Sequence, residues 1–111
     1  MSDCLFCRII AGEIPGNTVY EDDKVYAFRD INPQAPTHVL IVPKRHCDSI
    51  LECDGETAAA LVEAVRTVAV QEGLDRTGFR VASNCGEHGC QSVKHLHIHL
   101  LGGRQLSGQM G

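Results

Sequence analysis

Apolar residues recur along the chain in two periods, and each period predicts an element. Leu5, Phe6, Ile9 and Ile10 fall at helical spacing and predict a short helix over residues 4–11, ended by Gly12 and Pro15. Residues 18–20 and 24–29 are strand-like runs separated by Glu21-Asp22-Asp23, which suits a hairpin turn. Asn32-Pro33 and Ala35-Pro36 mark a loop. Residues 38–42 (His-Val-Leu-Ile-Val) are rich in β-branched side chains and stop at Pro43. One long helix is predicted from about residue 55 to residue 72, with Asp54 as N-cap. Its apolar stripe is Leu61, Val62, Val65, Val68 and Ala69, and Gly73 fits a left-handed C-terminal cap. Residues 79–83 and 95–101 supply two further strands. The sum is an α+β fold, a mostly antiparallel sheet packed on one long helix. No repeat, low-complexity tract or linker interrupts the pattern, so residues 1–111 are expected to form a single domain.

Composition narrows the classes. An apolar fraction of 43% is that of a folded chain. The net charge is -4 and no basic run is longer than Lys44-Arg45, so a nucleic-acid polymer is not an expected partner, although a local site for one nucleotide remains open. No apolar stretch approaches the roughly 20 residues that span a bilayer, and the N-terminus lacks a signal-peptide pattern, so no membrane association is expected. The six cysteines then belong in a reducing, cytoplasmic setting, as metal ligands or thiols rather than as a disulfide framework. Cys47 and Cys53 are expected as packed or surface thiols, His88 and Lys94 as solvated side chains, and a Cys85–Cys90 disulfide is not expected.

The chemistry concentrates in His95-Leu96-His97-Ile98-His99. On a strand, alternate side chains share a face at steps of about 7 Å. The three imidazoles would line one face, while Leu96, Ile98 and Leu100 bury on the other. Two uses compete. Three imidazoles can contribute to a catalytic zinc site. Alternatively, a neutral imidazole, whose ordinary pKa is about 6.5, can attack phosphorus with one nitrogen if an acceptor holds the proton on the other. Flanking histidines can then donate to phosphate oxygens as charge grows there. Spacing alone does not choose. The preceding segment, Asn84-Cys85-Gly86-Glu87-His88-Gly89-Cys90-Gln91-Ser92-Val93, is a tight polar loop of the kind that can face an anion.

These residues resemble the histidine-triad (HIT) superfamily, in particular its purine-nucleoside phosphoramidase and histidine-triad nucleotide-binding branch. His95-Leu96-His97-Ile98-His99-Leu100-Leu101 fits that family's H-φ-H-φ-H-φ-φ motif, φ being apolar. Cys4-Leu5-Phe6-Cys7-Arg8-Ile9-Ile10-Ala11-Gly12-Glu13-Ile14-Pro15 is similar to its opening, Asp30-Ile31-Asn32-Pro33-Gln34-Ala35-Pro36-Thr37-His38 to its middle and Leu101-Gly102-Gly103-Arg104-Gln105 to its close. The resemblance implies a five-stranded, mostly antiparallel sheet with one long helix and a short N-terminal helix. It implies that His97 is the nucleophile, forming a covalent nucleotidyl intermediate, with its other ring nitrogen on a backbone carbonyl. His99 would contact the phosphate, His38 would support the proton network, and Gln91, Ser92 and Asn84 would lie near phosphate and leaving group. Asp30 would accept the ribose hydroxyls, and Phe6, Ile9, Phe28 and Ile31 would form the purine slot. The substrate would be a purine nucleoside 5′-phosphoramidate, the product a nucleoside monophosphate, the assembly a homodimer, and no catalytic cofactor would be needed.

The resemblance also implies a structural zinc held by Cys4, Cys7, His46 and His95, as in bacterial-type members; the Cys-x-x-Cys alone is a weak signal, and four protein ligands would leave no position for water. Two departures stand out. Cys90 occupies a position where the family has Gly, so a positive φ there would be strained. The sequence ends Gln109-Met110-Gly111 without the Trp-Pro-Pro tail of many members; since that tail influences the partner subunit's pocket, the resemblance does not fix the substrate preference. The alternatives carried forward are a dinucleoside polyphosphate hydrolase or nucleotidyl transferase of the same superfamily, a non-catalytic nucleotide-binding regulator, and zinc-dependent hydrolysis by the triad itself.

Overall fold

A computed structural model describes residues 3–111. The order is α1 (Leu5–Ile10), β1 (Thr18–Glu21), β2 (Val25–Arg29), β3 (Thr37–Pro43), a 3-10 turn (Ile50–Glu52), α2 (Gly55–Gln71), β4 (Phe79–Ala82) and β5 (Ile98–Gly102). The five strands form one antiparallel sheet ordered β1-β2-β3-β5-β4. Asp22 makes the first hairpin turn, its carboxylate accepting from the backbone N–H groups of Lys24 and Val25 at 2.8 Å each. No helix among the described residues is long and apolar enough to cross a membrane.

Alternation along the strands divides the core in two. Val25, Ala27, Val39, Ile41 and Leu100 face α2 and pack on Leu61, Ala64, Val65, Val68 and Ala69. Tyr26, Phe28, Leu40 and Val42 face the other way and pack on Phe6 and Ile9 of α1. The α2 stripe differs from the sequence reading at one position: Ala64 is buried, whereas Val62 is 53% exposed. Val62 is one residue past Leu61, about 100° around the helix, which turns it off the core-facing arc. The helix starts at Asp54, whose carboxylate accepts from the Thr57 N–H at 2.7 Å. It ends in the expected left-handed Gly73, φ +74°, with Gly73 N–H on the Val70 carbonyl and Leu74 N–H on the Ala69 carbonyl.

The last strand begins later than its sequence pattern indicates. β5 starts at Ile98, so His95, Leu96 and His97 precede it. Its neighbour β3 ends at Pro43, which has no N–H to extend a ladder. The Pro43 carbonyl is taken instead by the His95 ring, 2.8 Å from Nε2, and the Leu96 N–H crosses to the Cys47 carbonyl at 2.7 Å. The segment bends, yet Leu96 and Leu100 still bury against α2 and the histidines still face α1.

Candidate active site and metal centre

The bend sends consecutive triad rings to different tasks. His97 is buried, and its Nδ1–H donates to the His95 carbonyl at 2.7 Å. Its Nε2 therefore keeps the lone pair, on a ring that lines a cavity of about 580 Å³. Phe6 packs edge-on against this ring at 5.1 Å between centroids. His99 lines the same cavity with its ring 5.1 Å from that of His97, closer than the step of a regular strand.

The tautomer of His99 follows from a chain of hydrogen bonds. The Gln34 backbone N–H donates to Nδ1 of His38 at 3.0 Å, so the proton of a neutral His38 must sit on Nε2. Nε2 lies 2.9 Å from Nδ1 of His99 and 3.5 Å from the Asp30 carboxylate. The shorter contact makes His99 Nδ1 an acceptor, which leaves an Nε2–H as the polar edge His99 can present to the cavity. Burial, reinforced by His97 and His38, pushes the His99 pKa down to about 4, and burial also lowers that of His38. The ligand-capable atoms of Asp30, His38 and His99 converge, but the proton on His38 Nε2 occupies the lone pair a metal would need.

Because His99 titrates near 4 when folded and near its ordinary 6.5 when unfolded, the unfolded chain binds the extra proton first as pH falls. Stability is therefore expected to drop as pH falls from about 6.5 toward about 4. A His99→Asn variant should show a shallower fall in urea midpoint over that interval; identical slopes would count against the assignment.

The remaining sequence candidates fall into two groups. Phe6, Ile9, Phe28, Asp30, Ile31 and Ser92 all line the cavity with His97 and His99. Phe6, Ile9 and Phe28 are buried in its wall, while Ile31 is 92% exposed at its edge. Asp30 is held by the Asn32 N–H at 2.8 Å. Gln91 and Asn84 do not line it. The Gln91 amide is spent on backbone: Nε2 donates to the carbonyls of Asp48 and Val93, and Oε1 accepts from the Gly86 N–H. Gln91 thus braces the loop that carries Ser92. Leu5, Asn17 and Val93 also line the cavity; Leu5 and Val93 lie inside segments the sequence marks, but their apolar side chains carry no chemistry that would single them out.

Cys90 has φ +63°, a left-handed conformation that is strained for a residue other than Gly. A left-handed L residue costs about 1–2 kcal/mol, and Gly returns about 0.5–1 kcal/mol of that as chain entropy. Cys90→Gly should therefore stabilise the protein by about 0.5–1 kcal/mol in chemical denaturation. Cys47 and Cys53 pack partly buried against the core, and burial raises both thiol pKa values.

His95 turns away from the cavity into a second cluster. Its Nε2–H donates to the Pro43 carbonyl, so Nδ1 offers a lone pair to the cluster, 3.2 Å from Cys4 Sγ, 3.5 Å from Cys7 Sγ and 3.1 Å from His46 Nδ1. Cys7 Sγ lies 3.3 Å from His46 Nδ1. Asp48 sits 2.9 Å from Nε2 of His46, fixing the opposite edge of that ring. A zinc tetrahedron with sulfur at about 2.3 Å and nitrogen at about 2.0–2.1 Å has edges of about 3.3–3.8 Å. Two sulfurs and two outer-held imidazoles at these separations fit such a cage. The triad does not converge on one metal, because His95 joins the cysteines while His97 Nδ1 is on a carbonyl; this corrects the reading in which the triad itself binds a catalytic zinc.

The HIT domain family matches residues 11–106. The chain is similar to the purine nucleoside phosphoramidase of Escherichia coli, at 45% identity over 94% of this chain and 90% of the relative. It is similar to the 14 kDa zinc-binding protein of Zea mays, at 50% identity over 96% of this chain and 86% of the relative. Among solved structures, a HIT family hydrolase from Legionella pneumophila superposes with a TM-score of 0.94 at 46% identity, covering 98% of this chain and 100% of that one.

Proposed function

Because the chain belongs to the HIT domain family, whose members include hydrolases, we propose that it cleaves the P–N bond of purine nucleoside 5′-phosphoramidates through a nucleotidyl intermediate on His97. The observation that carries this reading is the 2.7 Å bond from His97 Nδ1 to the His95 carbonyl, which leaves Nε2 as a lone pair on the cavity. Nε2 attacks the α-phosphorus, and the P–N bond to the leaving amine breaks. The amine takes its proton from water by way of the Ser92 hydroxyl. Positive charge on the modified ring is held by the Nδ1–H bond. His99 Nε2–H donates to a phosphoryl oxygen, where charge grows. The hydroxide left by that proton transfer then attacks phosphorus, the P–Nε2 bond breaks, and the nucleoside monophosphate leaves.

The cavity supports this substrate class in its shape. Phe6, Ile9 and Phe28 give one apolar wall for a flat base, and Asp30 gives an acceptor for ribose hydroxyls. Its volume of about 580 Å³ lies within the range of small-ligand sites. Gln91 acts from outside it, through the loop it braces, and Asn84 also lies outside its lining. The competing reading within the superfamily is a dinucleoside polyphosphate hydrolase or transferase. Turnover of adenosine 5′-phosphoramidate is expected to exceed that of diadenosine polyphosphate by at least about 100-fold, equal to about 2.7 kcal/mol of transition-state preference. The reverse order of kcat/KM would sink the proposal.

Cys4, Cys7, His46 and His95 are the residues we assign to a structural zinc, which would supply a crosslink between the N-terminal helix and the core and take no part in the chemistry. We also assign a homodimer and a single domain, acting in the cytoplasm. Support for the dimer is an apolar groove of about 260 Å³ lined by Ile50, Leu61, Val62, Val81 and Leu96, beside the open edge of β4. Its test is the sedimentation coefficient.

A further inference from the structure

Arg104 lies just past the end of β5, five residues beyond His99, and its guanidinium reaches back across the sheet end. Nη2 donates to the Gln34 carbonyl at 3.1 Å, and Nη1 donates to the Gln105 carbonyl at 2.9 Å. Gln34 is in the loop joining β2 to β3, whose two ends carry Asp30 and His38. The carbonyl that Arg104 holds and the N–H that Gln34 gives to His38 Nδ1 flank the same α-carbon. The approach is close: a Cβ on Gly103, which has φ +96°, would meet Pro36 at 2.9 Å. The strand that bears His99 therefore grips, through its own continuation, the loop that decides where the proton of His38 sits.

We propose that Arg104 is a positioning residue of the site: by fixing the backbone at Gln34 it commits His38 to the Nε2–H tautomer, and so presents His99 to the cavity as an Nε2–H donor. The catalytic part of this inference rests on the hydrolase reading above; the tautomer part does not. Without the Gln34 N–H, Nδ1 of His38 loses its only backbone donor in this chain of bonds, and either ring nitrogen can carry the proton. His99 Nδ1 then no longer has an obligatory donor facing it. A share of the molecules would present a bare Nε2 lone pair to the phosphate, which repels an anion instead of binding it.

The test uses the full-length protein as purified, labelled with 15N-histidine. Long-range 1H–15N spectra at neutral pH report which ring nitrogen of His38 and His99 is protonated. Wild type should show a single Nε2–H tautomer at both. Arg104→Ala should show mixed tautomers at one or both, with kcat on adenosine 5′-phosphoramidate about tenfold lower and KM nearly unchanged. Arg104→Lys, which keeps a donor, should recover most of both. Arg104 is exposed, so folding is not at risk in these variants, and the His97 resonances serve as an internal control. Unchanged tautomers in Arg104→Ala would overturn the proposal, as would mixed tautomers accompanied by an undiminished kcat. If the tautomers shift while wild type itself shows no phosphoramidate turnover, the positioning role stands and the substrate assignment fails.

Discussion

Replacing His97 with Ala is expected to lower kcat on a nucleoside phosphoramidate by about four to six orders of magnitude, the scale on which a covalent nucleophile is lost. The expectation follows from a division of labour among the triad. His99 presents a donor and His95 faces the cysteine cluster, so neither ring offers a lone pair at the phosphate. Nucleotide affinity should survive, because the apolar wall and Asp30 are untouched. The truncated ring packs on Phe6 and His99, so unfolding must be measured alongside. A folded His97→Ala protein that binds nucleoside monophosphate but cannot turn over substrate is the predicted outcome. A fall of only a fewfold in kcat would show that another group attacks phosphorus.

Removing the proposed zinc should have the second-largest effect, and it should reach the cavity. The α1 helix has six residues, too few to be stable in water alone. Its N-cap Cys4 and its Cys7 belong to the Cys/His cluster assigned to zinc, while its Phe6 and Ile9 form the cavity wall and the second core. A ligand present about 1,000-fold above its dissociation constant stabilises the folded state by about 4 kcal/mol. In a domain of about 100 residues this corresponds to a Tm lower by about 15–30 °C after removal. Chelation, or Cys7→Ser, should produce that drop together with weakened nucleotide binding, measured by a thermal scan and by calorimetry on a sample of known zinc content. A protein that purifies without zinc and is indifferent to chelator would remove the metal from the account.

Much of this was legible in the sequence, for identifiable reasons. Strands β2 and β3 and the helix α2 declare themselves because one face of each is buried, so burial and periodicity coincide. Asp54 and Gly73 mark the ends of α2 through local chemistry that does not depend on tertiary contacts. The sequence pattern starts β5 too early because alternation continues through His95 and His97, although their backbone has left the ladder. What bends it is the proline ending β3 and a ring that claims the proline's carbonyl, both remote in sequence. The pattern places Val62 in the core stripe because hydrophobicity alone does not separate a core face from its flank.

The candidate site divides along the same line. Side chains with distinctive chemistry, such as His97, His99, His38 and Asp30, could be named from the motif and the resemblance. The groups that set the tautomers could not be named residue by residue, because they are backbone: the resemblance implies a carbonyl for His97 without saying whose, and neither the Pro43 carbonyl that orients His95 nor the Gln34 N–H that orients His38 is marked. Any residue supplies such groups, so no residue type announces them. Gln91 shows the converse case, a distinctive side chain whose amide is consumed by backbone and reaches the cavity only through the loop it braces.

The most direct measurement is intact-protein and peptide mass spectrometry after rapid quenching of the enzyme with adenosine 5′-phosphoramidate, under conditions that preserve acid-labile P–N bonds. An adenylyl group on the peptide containing His97, formed and lost at rates that account for turnover, is the predicted result. Steady turnover with no adduct on His97, or an adduct carried by a different residue, would contradict it.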